Sequence, residues 1–347
     1  MQRIGRRGFL MGASAIGLAG AAGLGLPRPA WAASAEIGIA SPDPIYCVSY
    51  IAFQKGYFKD AGLDASYIDT QSGPRGKQML AAGQVFATTS GTNDAIALTL
   101  AGKPARIVFS LDTRITYANL LVRKDDLESG KITKISDLAG QTIAVTQPQS
   151  ATWLMATYMS DKAGILDKVD IRGLGGLSTM LGALKSGQVG ASIATLGMVE
   201  AAVAEGWAVP LFDVTEAAAW SGTFGGDVPG LSTYVLEETI EERPQDVQAF
   251  VTALCKAQDF LNSESAETIA GVVREPYLSS MSMEGLVKTI ALYKRAVWNK
   301  TNMLTPEAYA RLVDIMGDGR QYTNEELAKV PYKTAVDMSF VEKARGL

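Results

Sequence analysis

Four β-prone residues, Thr142–Val145, stop at a polar loop over 146–149, and helical spacing starts again just past Ser150, with Trp153, Leu154, Thr157 and Tyr158 recurring up to Gly164. An apolar strand that passes through a polar loop into a capped helix is the building unit of an open α/β sheet. Ligands of such sheets bind outside the carboxyl ends of the strands, where helix N-termini present unpaired N–H groups. The unit recurs along the chain. EIGIA at 36–40 leads through SPDPIY into a helix over 48–54, and a strand follows at 65–68. Ser72-Gly73-Pro74 opens a helix that ends at Gly83; then come a strand over 85–88, a loop over 89–91 and a helix over 92–100. Strands are also expected at 106–110, 116–123 and 231–236, a loop over 220–230, and helices from Pro244 onward. This alternation predicts mostly parallel sheet with helices on both faces.

The pattern occurs twice. Leu80-Ala-Ala-Gly83-Gln84-Val85-Phe86-Ala87 is echoed by Leu184-Lys-Ser-Gly187-Gln188-Val189-Gly190-Ala191, a helix ending at Gly with a strand after it in both cases. Two similar lobes explain the echo and its matching flanks.

The first 32 residues read as a leader. Arg6-Arg7, then Phe9 and Leu10, precede a Gly/Ala-rich apolar run and an A-x-A site at Ala30-Trp31-Ala32, with Ala33-Ser34-Ala35 as a second option. This is a signal peptide of twin-arginine type and predicts an exported, periplasmic protein. Its removal takes four arginines and no acid, moving the net charge from −4 to −8. A net acidic chain without basic runs excludes nucleic acid as the expected partner. Histidine is absent, which removes the commonest general base and transition-metal ligand. No metal, cofactor or catalytic residue is therefore expected, and no enzyme. Cys47 and Cys255 stand either as a bridge or as two buried thiols.

Gly56-Tyr57-Phe58-Lys59-Asp60-Ala61-Gly62-Leu63-Asp64, the Leu-Ala-Ala-Gly-Gln-Val segment, Asp137–Val145 and Leu184–Ala191 together resemble the alkanesulfonate, nitrate, taurine and thiamine-pyrimidine group of extracytoplasmic solute-binding proteins of ABC importers. The resemblance runs in order across the mature chain. It implies a type II periplasmic binding protein: two α/β lobes, two crossover strands near 120–122 and 233–235, and a helical C-terminal tail packed on the first lobe. Lobe 1 is then 36–117 plus 236–347, and lobe 2 is 118–235. The group often has Asp after each Gly-Gln-Val, where this chain has Phe86 and Gly190. A pyrimidine-synthase branch of the resemblance needs a histidine and is excluded.

Candidate ligand contacts lie in the strand-to-helix loops: Ser41, Tyr46, Ser72, Thr89, Ser90, Thr92, Thr146, Gln147, Ser150, Thr152 and Thr195. Their hydroxyls and amides, with helix N-termini, bind a small anion without a full positive charge, or else cap their own helices. Arg75 and Arg114 are the candidate cations, Arg114 being favoured because it approaches the first crossover. Trp220, in Gly/Ser-rich sequence, is the expected cover for the organic part of a ligand, with Tyr46, Trp153 and Phe224 as further walls. Asp43, Asp94 and Asp227 leave a cationic ligand open. The expected protein is a monomeric receptor that captures a small organic acid, a sulfonate or carboxylate, and delivers it to an ABC permease. The alternatives are a pyrimidine-like thiamine precursor as ligand, or a sensory role for the same fold.

Overall fold

The computed structural model describes residues 34–318 and 320–347; the leader expected over 1–32 lies outside them. Among the described residues ten strands form two five-stranded sheets. The strands are β1 (Ala35–Ile39), β2 (Ala65–Asp69), β3 (Ala87–Gly91), β4 (Ala105–Ser110), β5 (Asn119–Arg123), β6 (Thr142–Val145), β7 (Asp170–Gly173), β8 (Ala191–Ala194), β9 (Ala208–Phe212) and β10 (Leu231–Leu236). The first sheet has the order β2-β1-β3-β10-β4 and the second β7-β6-β8-β5-β9, so both follow one plan. In each, three parallel strands are followed by one, β10 or β5, that runs antiparallel to both its neighbours.

The helices between them are α1 (Cys47–Gln54), α2 (Gly73–Ala81), α3 (Thr92–Leu100), α4 (Ala151–Lys162), α5 (Leu177–Lys185), α6 (Leu196–Ala204) and α7 (Ala217–Phe224). The tail carries α8 (Pro244–Ser263), α9 (Ala266–Tyr277), α10 (Met283–Ala296) and α11 (Pro306–Met316). Val247, Phe250, Val251 and Leu254 of α8 are buried as their helical spacing requires. Phe250 stacks on Phe58 with ring centroids 5.6 Å apart, and Tyr277 stacks on Tyr50 at 4.3 Å. These rings seat the tail on α1 and on the turn after it, beside the first sheet. Among the described residues no helix is long and apolar enough to cross a membrane.

The sequence echo has one backbone geometry. Gly83 and Gly187 have φ of 68° and 78°, the left-handed conformation that closes a helix and that a side chain disfavours. Gly83 N–H donates to Leu80 and Gln84 N–H to Met79; Gly187 N–H donates to Leu184 and Gln188 N–H to Ala183. Each glycine ends the helix that feeds the third parallel strand of its sheet, β3 or β8.

Several boundaries differ from the sequence reading. The segment 89–91, expected as loop, continues β3, because β10 lies beside it and pairs Thr233 with Thr89 and Ser232 with Ser90. The strand expected over 116–123 begins as a 3-10 turn, Thr116–Ala118, before β5. The stretch 220–230 is not all loop: its first residues finish α7, whose end is set by Gly225 at φ 74°. Cys47 and Cys255 are both buried and free.

Candidate functional site

The loops leaving the carboxyl ends of β1, β2, β3 and β6 meet around one cavity of about 30 Å³ between the sheets. Ala40 and Ser41 follow β1; Gln71, Ser72 and Gly73 follow β2; Gly91 and Asp94 follow β3; Thr146, Ser150, Ala151 and Thr152 follow β6. Tyr46, Tyr117, Leu177 and Leu231 complete the wall. This is the position that open α/β sheets reserve for ligands. At about 10–15 Å³ per water, a cavity of this volume admits roughly two waters.

Three helices start at it. Ser72, Gly91 and Ser150 are the N-cap residues of α2, α3 and α4. First-turn N–H groups have no acceptor inside their own helix, so the wall carries a positive backbone potential. Against it stands one buried carboxylate, Asp94, 1% exposed. Ser90 donates to its Oδ2 at 3.2 Å, and Lys77 Nζ lies 3.2 Å from its Oδ1. Burial raises the pKa of Asp94, while Lys77, the Ser90 hydroxyl and the Gly91 N–H oppose the rise.

The β6 loop spends its hydroxyls on itself. Ser150 Oγ accepts from Trp153 N–H at 3.2 Å and donates to the Gln147 carbonyl at 2.7 Å. Thr152 Oγ1 accepts from Thr146 N–H at 2.9 Å, and the Thr146 and Thr152 hydroxyls are 2.8 Å apart. What this loop offers a ligand is chiefly the first turn of α4. Across the cavity the phenols of Tyr46 and Tyr117 are hydrogen bonded at 3.0 Å, and burial raises the pKa of Tyr46.

Of the candidate contacts read from the sequence, Ser41, Tyr46, Ser72, Thr146, Ser150 and Thr152 line the cavity. Gln147 lies at its edge, where its Nε2 donates to Ser72 Oγ at 3.3 Å and ties the two sides together. Thr89 and Thr92 point into the first sheet, with their hydroxyls 2.8 Å from those of Thr233 and Ser232. Ser90 bonds Tyr234 at 2.8 Å as well as Asp94. Thr195 caps α6 and also bonds the buried Asp43, whose Oδ1 accepts from Ile45 N–H and from Tyr293 OH. Arg75 is exposed and donates to Gln71 at 2.6 Å.

Arg114 and Trp220 stand elsewhere than expected. The Arg114 guanidinium donates to the Val214 carbonyl at 2.8 Å and lies over the Trp220 ring at 5.9 Å. Trp220 is 2% exposed, stacks on Phe224 at 4.3 Å and donates its indole N–H to Gly226 at 2.8 Å. Both belong to the packing of α7, and neither lines the cavity. The i, i+4 spacing of Trp220 and Phe224 before Gly225-Gly226 was the signal for that helix. Gln71, Tyr117 and Leu177 are lining residues that the sequence reading did not single out. Tyr117 sat inside an expected strand, and its outward turn comes from the 3-10 geometry.

Residues 44–267 match the model of the family described as NMT1/THI5 like. No curated protein matches the chain at a significant level. A protein of Bordetella bronchiseptica RB50 superposes with a TM-score of 0.80 at 23% identity, over 90% of this chain and 97% of that one. The periplasmic nitrate-binding protein NrtA of Synechocystis PCC 6803 gives 0.71 at 12% identity, over 90% and 88%. The alkanesulfonate-binding protein SsuA of Xanthomonas axonopodis pv. citri, bound to MOPS, gives 0.65 at 18% identity, over 82% and 92%. At these identities the likenesses establish the fold. With the family match over most of its length, the chain belongs to the NMT1/THI5-like family and has the two-lobed α/β fold of periplasmic binding proteins.

Proposed function

We propose that this chain is the solute-binding component of an ABC importer, exported by its leader, which captures a compact organic solute between its lobes and hands it to a membrane permease. We assign lobe 1 to 36–117 plus 236–347 and lobe 2 to 118–235, with closure of one on the other as the functional motion. The observation that carries the reading is the cavity where the loops after β1, β2, β3 and β6, from both sheets, converge, lined by helix N-termini and hydroxyls. The family match and the solved receptors named above support it. No turnover is expected of such a site.

The lining favours a solute with N–H groups, neutral or cationic, of the aminopyrimidine type. Asp94 brings a carboxylate to the wall, and no Lys or Arg is among the lining residues. The organic-acid reading loses the arginine it invoked, since Arg114 is committed to Val214. It keeps one observation, the first turn of α4 opening on the cavity. A thermal-shift panel of aminopyrimidines, sulfonates, carboxylates and nitrate, followed by calorimetry on the hits, tests this. One-to-one binding of an aminopyrimidine, recovered unchanged by mass spectrometry, is the expected result. Binding of acids alone refutes the ligand class; chemical conversion of the hit refutes the receptor.

A further inference from the structure

The carboxylate of Asp94 occupies a place built for an anion. Its Oδ2 lies 2.4 Å from where a Cβ on Gly73 would stand, so the first turn of α2 is packed against it and a side chain there would have to displace the carboxylate. Gly91 N–H, at the start of α3, and Ser90 Oγ donate to the same group. Lys77, one turn along α2, reaches it with Nζ 3.2 Å from Oδ1, although no hydrogen bond of good geometry forms to that oxygen. The Lys77 side chain is 19% exposed and that of Asp94 1%. The start of α3, a hydroxyl and an ammonium thus converge on one spot in the cleft wall, with the first turn of α2 packed against it, and the protein fills it with its own negative charge.

We infer that Asp94 sets the charge selectivity of the cleft by standing in for a bound oxyanion: it takes up the Ser90 hydroxyl, the Gly91 N–H and the charge of Lys77, turns away anionic solutes, and offers a carboxylate to a solute's N–H group. The inference rests on the receptor reading above but is decided by separate measurements. Shortening the side chain opens a carboxylate-sized space with all its donors in place. No lining residue carries a full positive charge, so Lys77, behind Asp94, becomes the charge that holds whatever anion enters.

Asp94→Ala and Asp94→Ser should therefore bind sodium formate and sodium nitrate saturably, read as a rise in melting temperature at fixed ionic strength and by calorimetry. Wild type should not respond. Adding Lys77→Met to Asp94→Ala should weaken formate binding about 10- to 150-fold, the worth of a charge-assisted hydrogen bond. Asp94→Asn keeps the space filled, so it should bind no formate while losing affinity for any aminopyrimidine that wild type takes. Circular dichroism before titration identifies a variant that fails to fold, and the Ser variant stands in if the Ala variant does. Equal formate response in wild type and Asp94→Ala overturns the inference, as does no response in either shortened variant or an effect indifferent to Lys77. If wild type captures no solute from the panel the receptor reading falls, and the formate arms still decide the role of Asp94.

Discussion

At Asp112 one carboxylate oxygen accepts N–H bonds from Gly230 at 2.7 Å and Leu231 at 3.1 Å, while the other has no hydrogen-bond partner. The residue follows β4 and its donors lie at the start of β10, so it ties together the two chain segments that run between the sheets. Burial raises its pKa well above the usual range, and the two N–H bonds oppose the rise. A carboxyl whose folded pKa is raised contributes stability that is present in acid and is lost as the pH climbs through that raised value. Asp112→Asn keeps an acceptor for both N–H groups and removes the titration. Between about pH 7 and about pH 5 the melting temperature of wild type should therefore gain on that of the variant; parallel curves would refute the assignment. Single residues were the least legible part of the sequence. Arg114 and Trp220 looked like a cation and a free aromatic, yet the guanidinium lies over the indole and donates to Val214, about a hundred residues away. Contacts at such separation leave no periodic trace. Ser150 and Thr152, whose roles follow from local capping, were readable.

For α4, the start matters more than the length. Its cap, Ser150, satisfies Trp153 N–H and holds the Gln147 carbonyl, which fixes the direction in which the first turn faces the cavity. Ser150→Ala should lower stability by about 0.5–2 kcal/mol, as loss of an N-cap does. Solute affinity should fall by a smaller factor than that loss implies, because the backbone N–H groups remain. Chemical denaturation and calorimetry on the same variant check both; unchanged stability would show that the hydroxyl is not the cap. Strands and helices with clean periodicity, such as β6 or α8, were legible within a residue or two. The end of β3 was not, since Thr89 and Ser90 look like loop residues until β10 supplies their partners. The hydroxyls then read as ligand contacts are in fact the cross-strand bonds of a buried sheet.

Over the whole molecule the two sheets share one strand order, and the glycine-marked echo at Gly83 and Gly187 announced it. The sequence held no sign that the tail reaches the cleft. Gln321 Nε2 donates to the Gln149 carbonyl at 2.9 Å, where Asn93 Nδ2 also points at 3.4 Å, and Arg320 donates to Asp161 at 2.9 Å. These bonds join the tail and α3 to the loop and helix after β6, and on the proposed receptor reading they hold the cleft shut. Gln321→Ala should speed solute release about 2- to 12-fold, the worth of one neutral hydrogen bond, and leave the association rate nearly unchanged. Stopped-flow dissociation measures it; an unaltered release rate would remove the tail from the closing mechanism. The strand order also dictates a sequence of assembly. The second sheet draws all its strands from 119–212, whereas the first needs β10, placed between β3 and β4, before β4 has any sheet neighbour. During synthesis the later half of the plan is therefore complete first, and the N-terminal strands wait with open edges until residue 236 has emerged. A chain cut short of that point keeps one finished sheet and one that invites aggregation.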